Sequence, residues 1–163
     1  MKTLFLLRHA KSSWDDSALN DFERPLNERG LRAAPLIGET IRQQQLQIDS
    51  IVSSPAKRAA QTALLVKEAA QINGEIQFDR GLYEASPQKL LQITANVGKE
   101  IESVLLVGHN PGFENFLKFL TGEIHTMPTA ALAVIDLRID KWNKISAGAG
   151  KLRMLLRPKE LKR

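Results

Sequence analysis

Short apolar runs alternate with helical segments along most of the chain, and this alternation limits the fold more than any other feature. The helical segments space their apolar residues at intervals of three or four, as one buried helix face requires. The predicted strands cover residues 3–7, 48–52, 76–78, 104–107, 131–137 and 152–156. The predicted helices cover residues 28–45, 56–71, 87–97 and 111–122. This order predicts an α/β fold with a mainly parallel sheet covered on both faces, to which the last pair of strands can add an antiparallel edge.

Three sequence signals indicate where these helices begin. Pro35 lies inside the first helical segment and lacks a backbone N–H, so it predicts a kink or a later helix start. Ser54 followed by Pro55 predicts the start of the second helix, because the hydroxyl caps free amides and proline fits the first helical position. Asn110 is predicted to cap a helix that starts at Pro111.

Length and composition limit the organisation of the protein. The 163 residues suit a single domain, 1–163, because no repeat or long linker divides them. The sequence contains no cysteine, which excludes disulfides and thiolate chemistry. Arg8 and His9 interrupt the N-terminal apolar run before it reaches the length of a secretory signal, and no apolar stretch is long enough to cross a bilayer. We therefore expect a cytoplasmic protein with no membrane partner.

The net charge of +5 favours anionic partners in general. The basic residues are scattered, however, and only the tail at 157–163 is dense. Aromatic residues make up 6% of the chain and do not alternate with basic residues as stacking platforms would. The sequence therefore favours a solvated basic surface over nucleic-acid binding.

Two of the three histidines directly follow predicted strands. His9 comes after the first strand, and His109 comes after the strand at 104–107. Because ligands of open α/β sheets bind beyond the carboxyl ends of the strands, we expect both imidazoles at the same edge. Arg58 lies about one turn inside the helix after another strand, where a guanidinium and a helix start both suit an anion. Each residue alone is commonly structural or solvated, but together with Arg8 they indicate a phosphate site.

Phosphoryl transfer is the chemistry that these residues favour. A neutral, oriented imidazole can attack phosphorus, so His9 is the expected nucleophile, and water would then hydrolyse a phosphohistidine intermediate. Arg8 and Arg58 would stabilise the developing charge, so we expect neither a metal nor another cofactor. Glu84 lies between a strand and the next helix. It is either a general acid, if burial raises its pKa, or an acidic residue that only favours the helix dipole.

Several segments, in order along the chain, resemble the histidine phosphatase superfamily, which includes the cofactor-dependent phosphoglycerate mutases. The similar segments are Leu7-Arg8-His9-Ala10-Lys11-Ser12-Ser13-Trp14, the stretch from Ser53 to Ala63, Leu82-Tyr83-Glu84 and Val107-Gly108-His109-Asn110-Pro111-Gly112. The small size and the opening motif most resemble the SixA-type phosphohistidine phosphatase branch, as do the segments from Asp21 to Leu26 and from Met127 to Thr129. The resemblance implies a three-layer α/β/α domain.

The resemblance also implies a role for individual residues. The implied catalytic residues are His9, His109 and Glu84, and the implied substrate-binding residues are Arg8, Arg58 and Ser12. The chain departs from the family pattern at two positions. Ala10 replaces the usual glycine, as is common in the SixA-type branch, and Asp15 stands where many members have asparagine. Since a carboxylate facing a phosphate would repel it, we expect Asp15 to point away or the loop to be built differently.

Three functions stay open at this level. The first is a phosphatase for phosphohistidine in a partner protein, and the second is a phosphatase for a small phosphorylated metabolite. The third is a non-catalytic module that binds phosphorylated partners, which the presence of a nucleophile disfavours. The short loop from Lys11 to Pro25 predicts a shallow pocket, which suits a side chain carried by a protein. His125 lies in a predicted loop and has no assigned role.

Overall fold

Six strands form one sheet in the computed structural model, which describes residues 1–161. The strands are β1 (Lys2–Arg8), β2 (Ser50–Ser53), β3 (Ile76–Phe78), β4 (Ser103–Gly108), β5 (Leu132–Leu137) and β6 (Gly150–Leu156). Their order across the sheet is β3-β2-β4-β1-β5-β6. Strands β3, β2, β4 and β1 are parallel, whereas β5 runs antiparallel to both β1 and β6. The predictions of a mainly parallel sheet and of an antiparallel pair at its end are confirmed.

Four α-helices cover the two faces of this sheet, and they are α1 (Glu28–Gln43), α2 (Lys57–Ala70), α3 (Pro87–Ala95) and α4 (Gly112–Thr121). Side chains alternate between the faces along each strand. In β1, Phe5 and Leu7 therefore pack in the core that includes residues of α1 and α2. Leu4 and Leu6 pack in the opposite core, with residues of α3 and α4. The three-layer α/β/α arrangement is confirmed.

Helix α1 is continuous through Pro35. Its first turn is capped by Asn27, whose side-chain oxygen accepts a hydrogen bond from the N–H of Gly30 at 2.9 Å. The alternative of a later helix start is therefore wrong, because this cap already stabilises the turn before the proline. Gly38 allows α1 to approach α2 closely, since a Cβ at this position would lie 2.6 Å from the Cβ of Ala69.

Helices α2 and α4 each begin one residue after the predicted start, and α3 begins at Pro87 as predicted. Helix α2 begins at Lys57, and the Ser54 hydroxyl accepts a hydrogen bond from the N–H of Ala56 at 3.2 Å, just ahead of the helix. Helix α4 begins at Gly112, and the side-chain oxygen of Asn110 accepts from the N–H of Glu114 at 3.2 Å. Both polar side chains therefore bind free amides near the helix starts, as the sequence indicates.

Within residues 1–161, no helix is both long enough and apolar enough to cross a membrane. Part of the basic tail is included in this range, and its last two residues, 162 and 163, lie outside the described residues.

Candidate active site

The register of the parallel strands brings three distant segments to one edge of the sheet. Arg8 is the partner of Gly108 across β1 and β4, so the next residues, His9 and His109, leave the sheet side by side. Their ring centroids are 5.1 Å apart and the rings are tilted by 50°. Strand β2 also pairs with β4, and the N–H of Ser54 donates to the carbonyl of Val107 at 2.9 Å. The segment that leads into α2 therefore emerges beside His109.

The backbone of His9 is held on two sides. Its N–H donates to the Gly108 carbonyl at 3.0 Å, and its carbonyl accepts from the N–H of Ala130 at 3.0 Å. The imidazole Nδ1 lies 2.8 Å from the carbonyl oxygen of Ala10, which can only accept, so Nδ1 carries the proton. Nε2 therefore keeps its lone pair, and the Nε–H of Arg58 donates to it at 3.4 Å.

Burial is the main reason that His9 is neutral. The residue is 7% exposed, and desolvation lowers its pKa to about 3, although the hydrogen bond to Ala10 partly opposes the shift. His109 and the charges of Arg58 and Arg8 lower it further. At neutral pH the ring is therefore uncharged, with its proton on Nδ1 and a free lone pair on Nε2.

His109 is also neutral, for similar reasons. Burial lowers its pKa to about 4, Arg58 adds to this effect, and Asp21 opposes it. Its Nε2 lies 2.8 Å from the Ser54 hydroxyl, and its Nδ1 lies 3.5 Å from Nη2 of Arg58. Because guanidinium can only donate, Nδ1 carries the lone pair and Nε2–H donates to Ser54. Tyr83 packs edge-on against the imidazole, with ring centroids 5.4 Å apart.

Asp21 binds the guanidinium of Arg58 in this structure. Arg58 donates from Nη1 to the Asp21 carbonyl at 2.6 Å and from Nη2 to the carboxylate at 2.9 Å. The carboxylate also accepts from the Tyr83 hydroxyl at 2.6 Å and from Arg24 at 2.9 Å. Partial burial raises the pKa of Asp21, but the hydrogen bonds from Tyr83 and Arg58 and the charges of Arg58 and Arg24 outweigh this and lower it overall. Asp21 is thus an anion held among the groups expected to bind phosphate.

Arg8 offers a buried donor at the same edge. Its Nη1 donates to the Met127 carbonyl at 3.0 Å, while its Nε is buried and has no hydrogen-bond partner among residues 1–161. Buried donors are normally paired, so this N–H suits an anion oxygen. Burial lowers the pKa of Arg8, yet a guanidinium stays charged at neutral pH. The Met127 carbonyl is itself fixed by Asn110, whose side chain donates to it at 2.9 Å.

Thr62 links helix α2 to the backbone beside His9. Its hydroxyl donates to the Arg58 carbonyl at 2.7 Å, one turn earlier in the helix, and accepts from the N–H of Ala10 at 3.0 Å. Since the carbonyl of Ala10 orients the His9 ring, Thr62 positions both the helix that carries Arg58 and the residue that sets the tautomer of His9.

Ser12 and Glu84, the other two proposed site residues, differ from the histidines and arginines in their burial or contacts. Ser12 is buried, and its hydroxyl accepts from a guanidinium N–H of Arg24. Glu84 is exposed and has a left-handed backbone, with φ of 55°. It therefore lies in solvent and not in a buried pocket, and its role stays a prediction, as does that of Ser12.

The two residues left without a role both lie in polar surroundings. Asp15 is exposed, and its backbone N–H donates to the Ser13 hydroxyl at 3.1 Å. His125 pairs with Glu123, with 2.9 Å between imidazole Nε2 and carboxylate oxygen.

Sequence reasoning missed the roles of Asp21, Tyr83, Ser54 and Thr62 at the site. All four lie inside segments already noted for their family resemblance, so the signal was present. What the sequence lacked was their partners, which are residues such as Arg58 and His109 from other segments.

Metal binding has no obvious place in the described part of the chain. Residues 1–161 contain no group of three or more histidine, cysteine, aspartate or glutamate side chains that could hold a metal ion. The expectation that the reaction needs no metal stays a prediction.

The fold and the site together define a class: an α/β protein with a candidate anion site, in which a neutral histidine pair and two guanidinium groups lie at the carboxyl edge of a parallel sheet. The sequence model described as Histidine phosphatase superfamily (branch 1) matches residues 4–102, more than half of the chain. The chain belongs to the histidine phosphatase superfamily.

Comparison with individual proteins agrees with this assignment. An uncharacterised protein of Mycobacterium tuberculosis is 34% identical over 105 residues, which are 64% of this chain but only 63% of that protein. The phosphohistidine phosphatase SixA of Escherichia coli is 29% identical over 148 residues, or 82% of this chain and 84% of that protein. The crystal structure of a candidate phosphohistidine phosphatase SixA from Agrobacterium tumefaciens has a TM-score of 0.84 and 33% identity, and the match covers 96% of this chain and 98% of that chain.

Proposed function

We propose that this protein is a phosphatase that removes the phosphoryl group from phosphohistidine in a partner protein, through a phosphohistidine intermediate on His9. One observation carries the proposal. The Nε2 atom of a buried, neutral His9 keeps its lone pair and faces Arg58, while Nδ1–H is held by the carbonyl of Ala10. An imidazole fixed in this tautomer beside cationic donors is prepared to attack phosphorus.

In the first step, His9 Nε2 forms a bond to phosphorus while the phosphorus–nitrogen bond of the substrate breaks. The electron pair of the broken bond returns to the substrate imidazole, which leaves as a neutral ring if it entered protonated. Arg8 and Arg58 donate to the phosphoryl oxygens as charge develops on them. A phosphoryl dianion beside His109 would raise the pKa of that residue, so that it can become a further donor.

In the second step, water attacks phosphorus and the bond to His9 breaks. The phosphorylated ring keeps its proton on Nδ1, so it is cationic and leaves as the neutral imidazole. Both protons of the attacking water go to the product, which is released as dihydrogen phosphate. The enzyme therefore returns to its starting protonation state.

The nature of the leaving group favours phosphohistidine over a phosphate ester. An alkoxide must be protonated as it leaves, whereas a protonated phosphoimidazole needs no added proton. Glu84, the expected acid, is exposed. The site is therefore less suited to protonating the alkoxide that leaves from a phosphate ester. The names of the Escherichia coli phosphohistidine phosphatase and of the Agrobacterium tumefaciens candidate for the same activity support the same substrate class.

The test compares kcat/KM on a phosphohistidine peptide, a phosphoserine peptide and a panel of sugar and nucleotide phosphates. We expect the phosphohistidine peptide to be the best substrate. We also expect His9→Ala to lower turnover at least about 10³-fold, by analogy with the removal of other nucleophiles. His125→Ala is the matched control, since it removes a histidine that pairs with Glu123 in another segment, and it should keep full activity. Preference for a small phosphate ester, or full activity in His9→Ala, would refute the proposal.

A second variant separates the two substrate classes. Glu84→Gln should leave turnover of the phosphohistidine peptide nearly unchanged and reduce any residual turnover of phosphate esters, because only the alkoxide needs an acid. Equal losses on both substrates would show that Glu84 acts on the reaction with phosphohistidine as well.

A further inference from the structure

A basic groove of about 500 Å³ lies beside α1. One wall is formed by α1 and the other by the segment 157–160, and Lys11, Pro128 and Thr129 also line it. Five cationic side chains line the groove, namely Lys11, Arg29, Arg32, Arg157 and Lys159.

Most of this positive charge is not neutralised within the described chain. Arg157 forms an ion pair with Glu160 at 3.7 Å and donates to the Thr126 carbonyl. The other four cations are exposed and form no ion pair within 4 Å among residues 1–161. A cluster of exposed, unpaired like charges raises the local concentration of an oppositely charged partner and speeds its encounter.

The groove and the active site share backbone segments. Lys11 is two residues from His9, and its carbonyl accepts from the N–H of Asn27 just before α1, at 2.9 Å. Thr129 precedes Ala130, whose N–H donates to the His9 carbonyl. A polypeptide that placed a phosphorylated side chain against His9 could therefore continue into the groove.

We propose that the groove binds an acidic segment of the protein that carries the phosphohistidine. This inference rests on the proposed function. The lining favours a polypeptide over nucleic acid, because none of its described residues has an aromatic side chain on which a base could stack. Between the cations lie small and apolar side chains, including Ala33, Leu36 and Pro158, which suit the aliphatic parts of glutamate or of neighbouring residues.

Two synthetic peptides test the groove separately from the chemistry. Each carries one phosphohistidine, flanked on both sides by glutamates in one peptide and by glutamines in the other. For the unaltered protein at 50 mM NaCl we expect kcat/KM to be about tenfold higher for the glutamate peptide, and the preference to disappear near 500 mM NaCl because salt screens exposed charges. The glutamine peptide measures the reaction itself.

Charge-reversal variants test whether the groove residues cause the preference for the glutamate peptide. Arg29→Glu combined with Arg32→Glu should abolish the preference for the glutamate peptide and leave kcat/KM for the glutamine peptide unchanged. Lys118→Glu combined with Lys144→Glu is the control, because it changes the net charge equally at exposed positions outside the groove lining, and it should keep the preference. Lys159→Glu, from the opposite wall, provides an independent variant if the double reversal fails to fold.

The outcomes are distinguishable. If both peptides are hydrolysed at equal rates, or if the control pair abolishes the preference as well, the groove proposal is wrong while the proposed function stands. If neither peptide is hydrolysed, both the proposed substrate and the groove proposal are wrong. Stronger competition by single-stranded RNA than by an unphosphorylated glutamate peptide would also overturn the groove proposal, in favour of nucleic acid.

Discussion

The two buried histidines should make the stability of the protein fall steeply as the pH drops from 7 to 5. Both are less than a tenth exposed, and their pKa values in the folded protein are about 3 for His9 and about 4 for His109, against 6.5 for the ordinary side chain. A depressed pKa means that the unfolded chain binds more protons in this window. The free energy of unfolding is therefore highest above pH 6.5 and decreases as the pH falls towards the folded-state pKa values of the two histidines.

The size of the effect follows from the number of protons. Well below pH 6.5, each histidine is protonated when unfolded and neutral when folded, which costs about 1.4 kcal/mol for every pH unit. For the pair, integration from pH 7 to pH 5 gives a loss of roughly 3–4 kcal/mol. This is a large part of the 5–15 kcal/mol that typically stabilises a domain. Asp21, whose pKa is lowered below 3.8, contributes little in this window, because it is ionised in both states.

Urea denaturation at pH 7 and pH 5 measures the loss directly. We expect His9→Asn and His109→Asn each to remove about half of the pH-dependent part, roughly 2 kcal/mol, whatever they do to stability at pH 7. His125→Asn is the control and should leave the difference between the two pH values as it is in the unaltered protein. A loss below about 1 kcal/mol in the unaltered protein, or an undiminished loss in both active-site variants, would refute the argument from burial.

Two further predictions concern residues that hold the site in place. Asp21→Asn removes the carboxylate that competes with phosphate for Arg58. The inhibition constant of inorganic phosphate should therefore fall about tenfold, which corresponds to about 1.4 kcal/mol of binding free energy. An unchanged or higher inhibition constant in a phosphate titration would contradict this. Thr62→Val leaves the N–H of Ala10 without its partner and should lower kcat about tenfold with little change in KM, because the His9 ring loses its fixed orientation. Thr62→Ser keeps the hydroxyl and should restore most of the activity, whereas equal losses in both variants would point to packing instead.

The elements of the fold and the main site residues could be predicted because they depend on local patterns. Within residues 1–161, apolar runs and helical spacing identified the six strands and four α-helices, with ends displaced by at most a few residues, but not the four short 3-10 helices. Strand β2, for example, extends to Ser53 instead of ending at Val52, because Ser53 pairs with Val107 of β4. Such pairing adds hydrogen bonds that no local signal reports.

The sequence by itself determined which residues follow strands, and hence that His9, His109 and Arg58 could meet at the carboxyl edge of a parallel sheet. Only the tertiary structure decided that β1 and β4 lie next to each other in register, which puts the two imidazoles in contact. It also decided that Asp21 binds Arg58, 37 residues away, and that Glu84 is exposed. The physical reason is the range of the interactions: helices and strands are specified by neighbours along the chain, whereas burial and ion pairing depend on how distant segments pack together.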